Sequence, residues 1–81
     1  LHTIDPFTPI DEIVRGCEAL VQSGKVRSVA ISNWPAWMAA TMLEIQKREG
    51  CSPIVAMQLY YSLVGRDIED ELLPFAAAND I

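Results

Sequence analysis

An α/β fold with a parallel sheet is what this sequence predicts, and three observations predict it. Two short, continuous apolar runs, one opening at Val29-Ala30-Ile31 and one at Ile54-Val55-Ala56-Met57, have the character of strands covered on both faces. Around them lie stretches whose apolar residues step by three and four, which is the helical period. The strands end on polar side chains, Ser32-Asn33 in the first case and Gln58 in the second, and His2 stands as a third polar group just before a turn. Strand ends that deliver polar groups to one side build a binding face at the carboxyl edge of a parallel sheet, as in open α/β sheets and barrels.

Each element has a local justification. Leu1-His2 has the look of a strand end, and Asp5 to Pro9 is a turn in which two prolines bracket Phe7-Thr8. Thr8 is a good N-cap and Pro9 suits a first helical position, so a helix is expected to about Ser23. Ile10, Ile13, Val14, Cys17, Leu20 and Val21 give it one apolar stripe. Gly16 lies inside that helix at a cost in stability, and a close packing contact would explain it. Gly24 supplies the stop. After the first strand, Trp34-Pro35 leads into a second helix to about Glu49, with Trp37, Met38, Thr41, Met42 and Ile45 on its inner face. Lys47-Arg48 favours the carbonyl end of the helix and Gly50 closes it. Pro53 precedes the next strand, Ile54 to about Gln58, and Leu59-Tyr60-Tyr61-Ser62-Leu63 leaves the sheet as a loop. A third helix is expected from Asp67 or later to about Ala78, with Pro74 tolerated in its first turn, Asn79 as a left-handed stop, and Ile81 opening a further strand. Helical crossovers of this length make neighbouring strands parallel.

Composition narrows the function. Eleven acidic and six basic residues give a net charge of -5, which argues against a nucleic-acid surface. The acids gather at helix starts, where capping and solubility account for them. No apolar run reaches the roughly 18 residues that span a bilayer, and no signal-peptide pattern opens the chain. Cys17 and Cys51 lack metal spacing, so no metal site is expected and two free thiols in a cytoplasmic setting are the simplest account. The chain opens without Met and inside an apparent element, which points to a piece of a larger protein.

Four stretches in order resemble one family: Leu1-His2-Thr3-Ile4-Asp5-Pro6-Phe7-Thr8-Pro9-Ile10-Asp11-Glu12, Leu20-Val21-Gln22-Ser23-Gly24-Lys25-Val26-Arg27, Ser32-Asn33-Trp34, and Gln58-Leu59-Tyr60-Tyr61-Ser62-Leu63. Together they resemble the aldo-keto reductases, most of all the bacterial branch related to potassium-channel beta subunits. The resemblance covers nearly all of residues 1–81. It implies a parallel βαβαβα segment of a (β/α)8 TIM barrel, from the end of the fourth strand to the helix after the sixth. At about 250 residues per barrel this is about a third of one. The implied parent reduces aldehydes or ketones with NADPH.

Residue by residue, the resemblance is partial. Of a catalytic Asp, Tyr, Lys and His, only the His has a counterpart, His2, and neither Asp5 nor Tyr60 or Tyr61 replaces the others. Ser32, Asn33 and Gln58 match residues that hold the nicotinamide carboxamide. The family's ring-stacking aromatic and basic phosphate loop have no counterpart here. The chemistry suits a carboxamide, because Asn and Gln offer both a donor and an acceptor and Ser can serve either way. His2 would hydrogen-bond the substrate carbonyl.

Plainer roles stand beside these. Ser32-Asn33 could cap the following helix, Gln58 could satisfy loop backbone, and His2 could be a solvent-exposed turn residue. Trp37 is expected in the core, and Trp34 in packing or at a pocket border. The isolated chain is expected to be inactive and to self-associate through exposed sheet edges. An alternative is a non-enzymatic module that uses those edges for oligomerisation or partner binding. A flavodoxin-like unit is weaker still, since no Gly-rich phosphate loop occurs.

Overall fold

A computed structural model describes all residues, Leu1–Ile81. The elements follow in the order α1 (Ile10–Gln22), β1 (Val29–Ser32), α2 (Ala36–Glu49), β2 (Ile54–Gln58), a 3-10 turn (Asp67–Glu69) and α3 (Leu72–Ala78). The strands pair in parallel, as the helical crossover requires. The architecture is the expected α/β segment, with one difference at its start. Leu1-His2 forms no strand. A single contact, from the Leu1 ammonium to the Ala30 carbonyl at 2.8 Å, lies where a ladder would run.

Register matters more than strand count. Val29 sits beside Ile54, Ile31 beside Met57, and Ser32 beside Gln58. Two steps along β1 therefore match three along β2, so β2 carries a bulge at Val55-Ala56. Ile54 is buried and Met57 packs against the core, while Val55 and Ala56 are exposed. The expectation that both strand faces are covered thus fails for β2. Within these residues nothing packs over that stretch.

The core lies between the sheet and the two long helices. Val14, Ile31, Trp34, Met38, Ala39, Met42, Ile45 and Ile54 form one buried cluster. In α1 the stripe holds at Val14 and Cys17, but Leu20 is exposed along an apolar groove with Val26 and Val29. In α2 the inner face is rotated from the expected one. Met38, Met42 and Ile45 are buried with Ala36, Ala39 and Gln46, whereas Trp37 is 65% exposed and Thr41 is exposed. Trp34, only 1% exposed, packs in the core cluster and takes the core role expected of Trp37.

Helix ends show which capping expectations survive. Pro9, with φ -57 and ψ 142, is the N-cap of α1, and no side chain caps it. The Thr8 hydroxyl instead donates to Asp5 Oδ2 at 2.6 Å, inside a turn where Phe7 N–H donates to Asp5 Oδ1 at 2.9 Å. Those bonds, the Thr8 hydroxyl first, hold the Asp5 carboxyl below its usual range. Gly24 and Gly50 take the left-handed conformation as stops. At the end of α3 that conformation belongs to Asp80 (φ 56), not Asn79, whose Nδ2 donates to the Phe75 carbonyl instead. Pro74 is the third residue of α3, inside the first turn as required.

Gly16 departs from expectation in a useful way. It is exposed, and a Cβ built on it meets nothing within 4 Å. With no close contact to protect, Gly16→Ala should stabilise the chain by about 0.5–1 kcal/mol through helix propensity and lower unfolded-state entropy. A thermal unfolding midpoint unchanged or lowered by the substitution would contradict this.

Two carboxylates tie α1 to the end of α2 and to the connection that leads into β2. Arg15 donates to both oxygens of Glu49 at 3.2 and 3.3 Å. Glu18 accepts from Gln22 Nε2 at 2.6 Å and from Ser52 N–H at 2.7 Å. The Arg15 hydrogen bond lowers the Glu49 pKa, and the Gln22 and Ser52 bonds lower that of Glu18. A depressed folded pKa means that the unfolded chain binds the proton more tightly. The stability contributed is therefore present above about pH 4.5 and is lost as pH falls through the lower folded values. Unfolding midpoints followed across that range should drop on acidification, and the drop should be shallower in Glu18→Gln.

Candidate functional site

The carboxyl ends of β1 and β2 meet the start of the chain in one cavity of about 240 Å³, lined by Leu1, His2, Ala30, Ile31, Ser32 and Gln58. The bulge explains the company. In an unbroken ladder from the Val29–Ile54 pair, Ser32 would sit beside Met57. The extra residue in β2 moves Gln58 level with it. Residues side by side in a sheet point to the same face, so the hydroxyl and the amide share one wall. His2 enters from the segment held by the Leu1–Ala30 contact. Three of the four expected site residues thus line a common space. Leu1, Ala30 and Ile31 complete the wall and carry no polar side-chain signal by which the sequence could have marked them.

Asn33 is placed differently. It does not line the cavity and occupies the left-handed backbone region at φ 53, which asparagine tolerates better than most residues. Its backbone N–H donates to the Gln58 carbonyl at 3.1 Å. Its side-chain Oδ1 accepts from Tyr60 N–H at 2.8 Å, and its Nδ2 donates to Ser32 Oγ at 3.3 Å. Neither Ser32 nor Asn33 caps α2, whose N-cap is Pro35 with no side-chain bond. The helix-capping explanation for the pair is therefore excluded. The Gln58 side chain makes no hydrogen bond within the chain, so it is not satisfying loop backbone either, and it faces the cavity.

The loop after β2 is held by its own bonds. Ser62 N–H donates to the Gly65 carbonyl at 3.0 Å, and Gly65 N–H donates to Ser62 Oγ at 2.9 Å. The Tyr60 ring lies so close that a Cβ at Gly65 would stand 2.5 Å from its Cε1. The Tyr61 hydroxyl donates to Glu69, which raises the phenol above its usual pKa, and Arg66 both pairs with Glu69 at 2.6 Å and stands over the Tyr61 ring. The two tyrosines anchor the loop. The tie from Asn33 to Tyr60 was not expected, because nothing in local spacing links residues 27 apart.

This arrangement defines a class. Parallel βαβ units with polar groups gathered at the carboxyl edge belong to ligand-binding α/β proteins. The chain belongs to the aldo/keto reductase family, whose family model matches residues 1–81. It is 36% identical over its full length to versiconal hemiacetal acetate reductase of Aspergillus parasiticus, covering 24% of that protein. Over 91% of its length it is 35% identical to human aldo-keto reductase family 7 member A3, covering 22%. Norsolorinic acid reductase of Aspergillus flavus shares 31% identity over 98% of the chain, which covers 20% of that protein. The chain thus spans less than a quarter of the length of these relatives, below the third expected from barrel size alone. These relatives are fungal and human reductases, so they lend no weight to the bacterial branch related to potassium-channel beta subunits. No helix is long and apolar enough to cross a membrane, and no cluster of His, Cys, Asp or Glu is arranged to hold a metal ion.

Proposed function

We propose that these residues form the part of a carbonyl reductase that seats the nicotinamide carboxamide of NADPH and orients the substrate aldehyde or ketone. The observation that carries this is the convergence of His2, Ser32 and Gln58 on one cavity. The donor set fits a carboxamide. Ser32 accepts a hydrogen bond from Asn33 and keeps its own O–H to donate. Gln58 has both ends of its amide free. Asn33 stands next to the cavity, not in its wall: its acceptor is engaged by Tyr60 and its Nδ2 lies beside the lining Ser32 hydroxyl, so the second Nδ2 proton is the one a carboxamide reaching past Ser32 would take. When bound, the reduced nicotinamide supplies the hydride. The residues of this chain fix which face of the ring is presented, and His2 aligns the substrate carbonyl by a hydrogen bond to its oxygen. A cytoplasmic setting, with its reduced nicotinamide pool, suits this reading.

A fluorescence titration of NADPH into the chain tests the proposal. Saturable binding is expected, weakened about two- to tenfold by Ser32→Ala or Gln58→Ala, the worth of one hydrogen bond. A second reading, a non-enzymatic module that self-associates through its sheet edges, draws on the exposed Val55 of β2. Absence of NADPH binding, together with a mass by light scattering that grows with concentration, would favour that reading over the first.

A further inference from the structure

We propose that Asn33 couples occupancy of the carboxamide site to order in the loop from Leu59 to Arg66, an inference that rests on the carboxamide reading above. A primary amide is planar, so fixing one end fixes the other. Asn33 Oδ1 is held by Tyr60 N–H at 2.8 Å, and Nδ2 reaches Ser32 Oγ at 3.3 Å, a long bond that leaves the second Nδ2 proton free. The backbone offers little slack: the residue is left-handed at φ 53 and its N–H is committed to the Gln58 carbonyl. Any group that accepts from Nδ2 therefore restrains the amide in the orientation that keeps Oδ1 on Tyr60. Swinging the amide away would break both bonds at once.

Downstream of that bond lies a loop with few ties to the rest of the chain. It is held by the Ser62–Gly65 turn, by the Tyr60 ring against Gly65, and by the contacts of Tyr61 and Arg66 with Glu69. All of these are internal to residues 60–69. The hydrogen bond from Tyr60 to Asn33 is the side-chain link between this unit and the end of β1. Coupling between sites is reciprocal. A cofactor that holds Asn33 steadies the loop, and a steadier loop holds Asn33 ready for the cofactor.

Amide hydrogen exchange at Tyr60, with and without saturating NADPH, tests the coupling in the wild-type chain and in two variants. Asn33→Gly keeps the backbone conformation and removes both side-chain ends. Asn33→Asp keeps the acceptor and removes the donor. In the wild type, NADPH should slow Tyr60 exchange at least threefold. Without NADPH, Asn33→Gly should exchange about fivefold faster at Tyr60, from the loss of one hydrogen bond, and Asn33→Asp should match the wild type. Neither variant should respond to NADPH. Tyr60 exchange in Asn33→Gly equal to wild type would overturn the brace itself. Saturable NADPH fluorescence with no change in wild-type Tyr60 exchange would overturn the coupling and leave the cofactor reading in place. No NADPH fluorescence at all would remove the cofactor reading and the coupling with it, while the Asn33→Gly rate still decides the brace.

Discussion

Trp34→Ala is expected to destabilise the chain by about 3–5 kcal/mol, the range for emptying a large buried aromatic site. Trp34 is among the largest fully buried side chains and packs in the cluster with Ile31, Met38 and Met42. Only 12 of 81 residues are buried, so the core has little with which to absorb the loss. A domain of this size has a stability near the low end of about 5–15 kcal/mol. Urea unfolding followed by circular dichroism should therefore show the cooperative transition lost or shifted close to zero denaturant. Trp34→Phe behaves differently. The Trp34 Nε1–H is buried without an acceptor, and an unpaired buried donor costs about 1–3 kcal/mol. Phenylalanine loses contact area but also removes that donor, so its net effect should stay within about 1.5 kcal/mol. A loss in Trp34→Phe well beyond about 1.5 kcal/mol would show that removing the orphan N–H offsets little of the lost contact area.

Gln46→Leu is the second large effect, about 2–4 kcal/mol of destabilisation, although the replacement is apolar and of similar size. Gln46 is 2% exposed and works as a piece of backbone. Its Nε2 donates to the Ser52 carbonyl at 2.9 Å, and its Oε1 accepts from Ile54 N–H at 3.2 Å. Leucine leaves both main-chain groups unpaired at the entrance to β2. Amide exchange at Ile54 should rise along with the global loss of stability. Gln46→Glu should fare no better, since it keeps the acceptor but discards the donor and places a charge in a buried site. A Gln46→Leu chain as stable as wild type would mean that Ser52 and Ile54 find other partners.

Neither Trp34 nor Gln46 was legible as a keystone in the sequence, and the reasons are physical. Read by its large apolar side chains, α2 has Trp37 on its inner face and leaves Ala39 and Gln46 off it. The structure selects by position: the buried stripe of α2 takes in Ala36, Ala39 and Gln46 beside Met38, Met42 and Ile45. A glutamine that satisfies two backbone groups looks polar to any periodicity argument. What hydropathy carries well is the strand: Ile54–Gln58 falls where the apolar run places it, and Gly24 and Gly50 stop their helices as their conformational freedom predicts. The site was legible in part for the same reason, because polar residues that end buried strands advertise an edge. His2, Ser32 and Gln58 share a cavity. The place of Asn33 beside that wall depends on a bond to Tyr60 that no local pattern encodes.

The bulge at Val55-Ala56 separates two demands that a regular ladder would fuse. One demand is that Ile54 and Met57 meet the helices; the other is that Gln58 stand level with Ser32. The surplus residue is exposed and joins neither the core nor the cavity. Strand length and site alignment are thereby independent variables: a lineage could drop one of those two residues, straighten the ladder, and still deliver the amide to the same rung. The bulge is slack between the core contacts of β2 and the rung on which Gln58 meets Ser32.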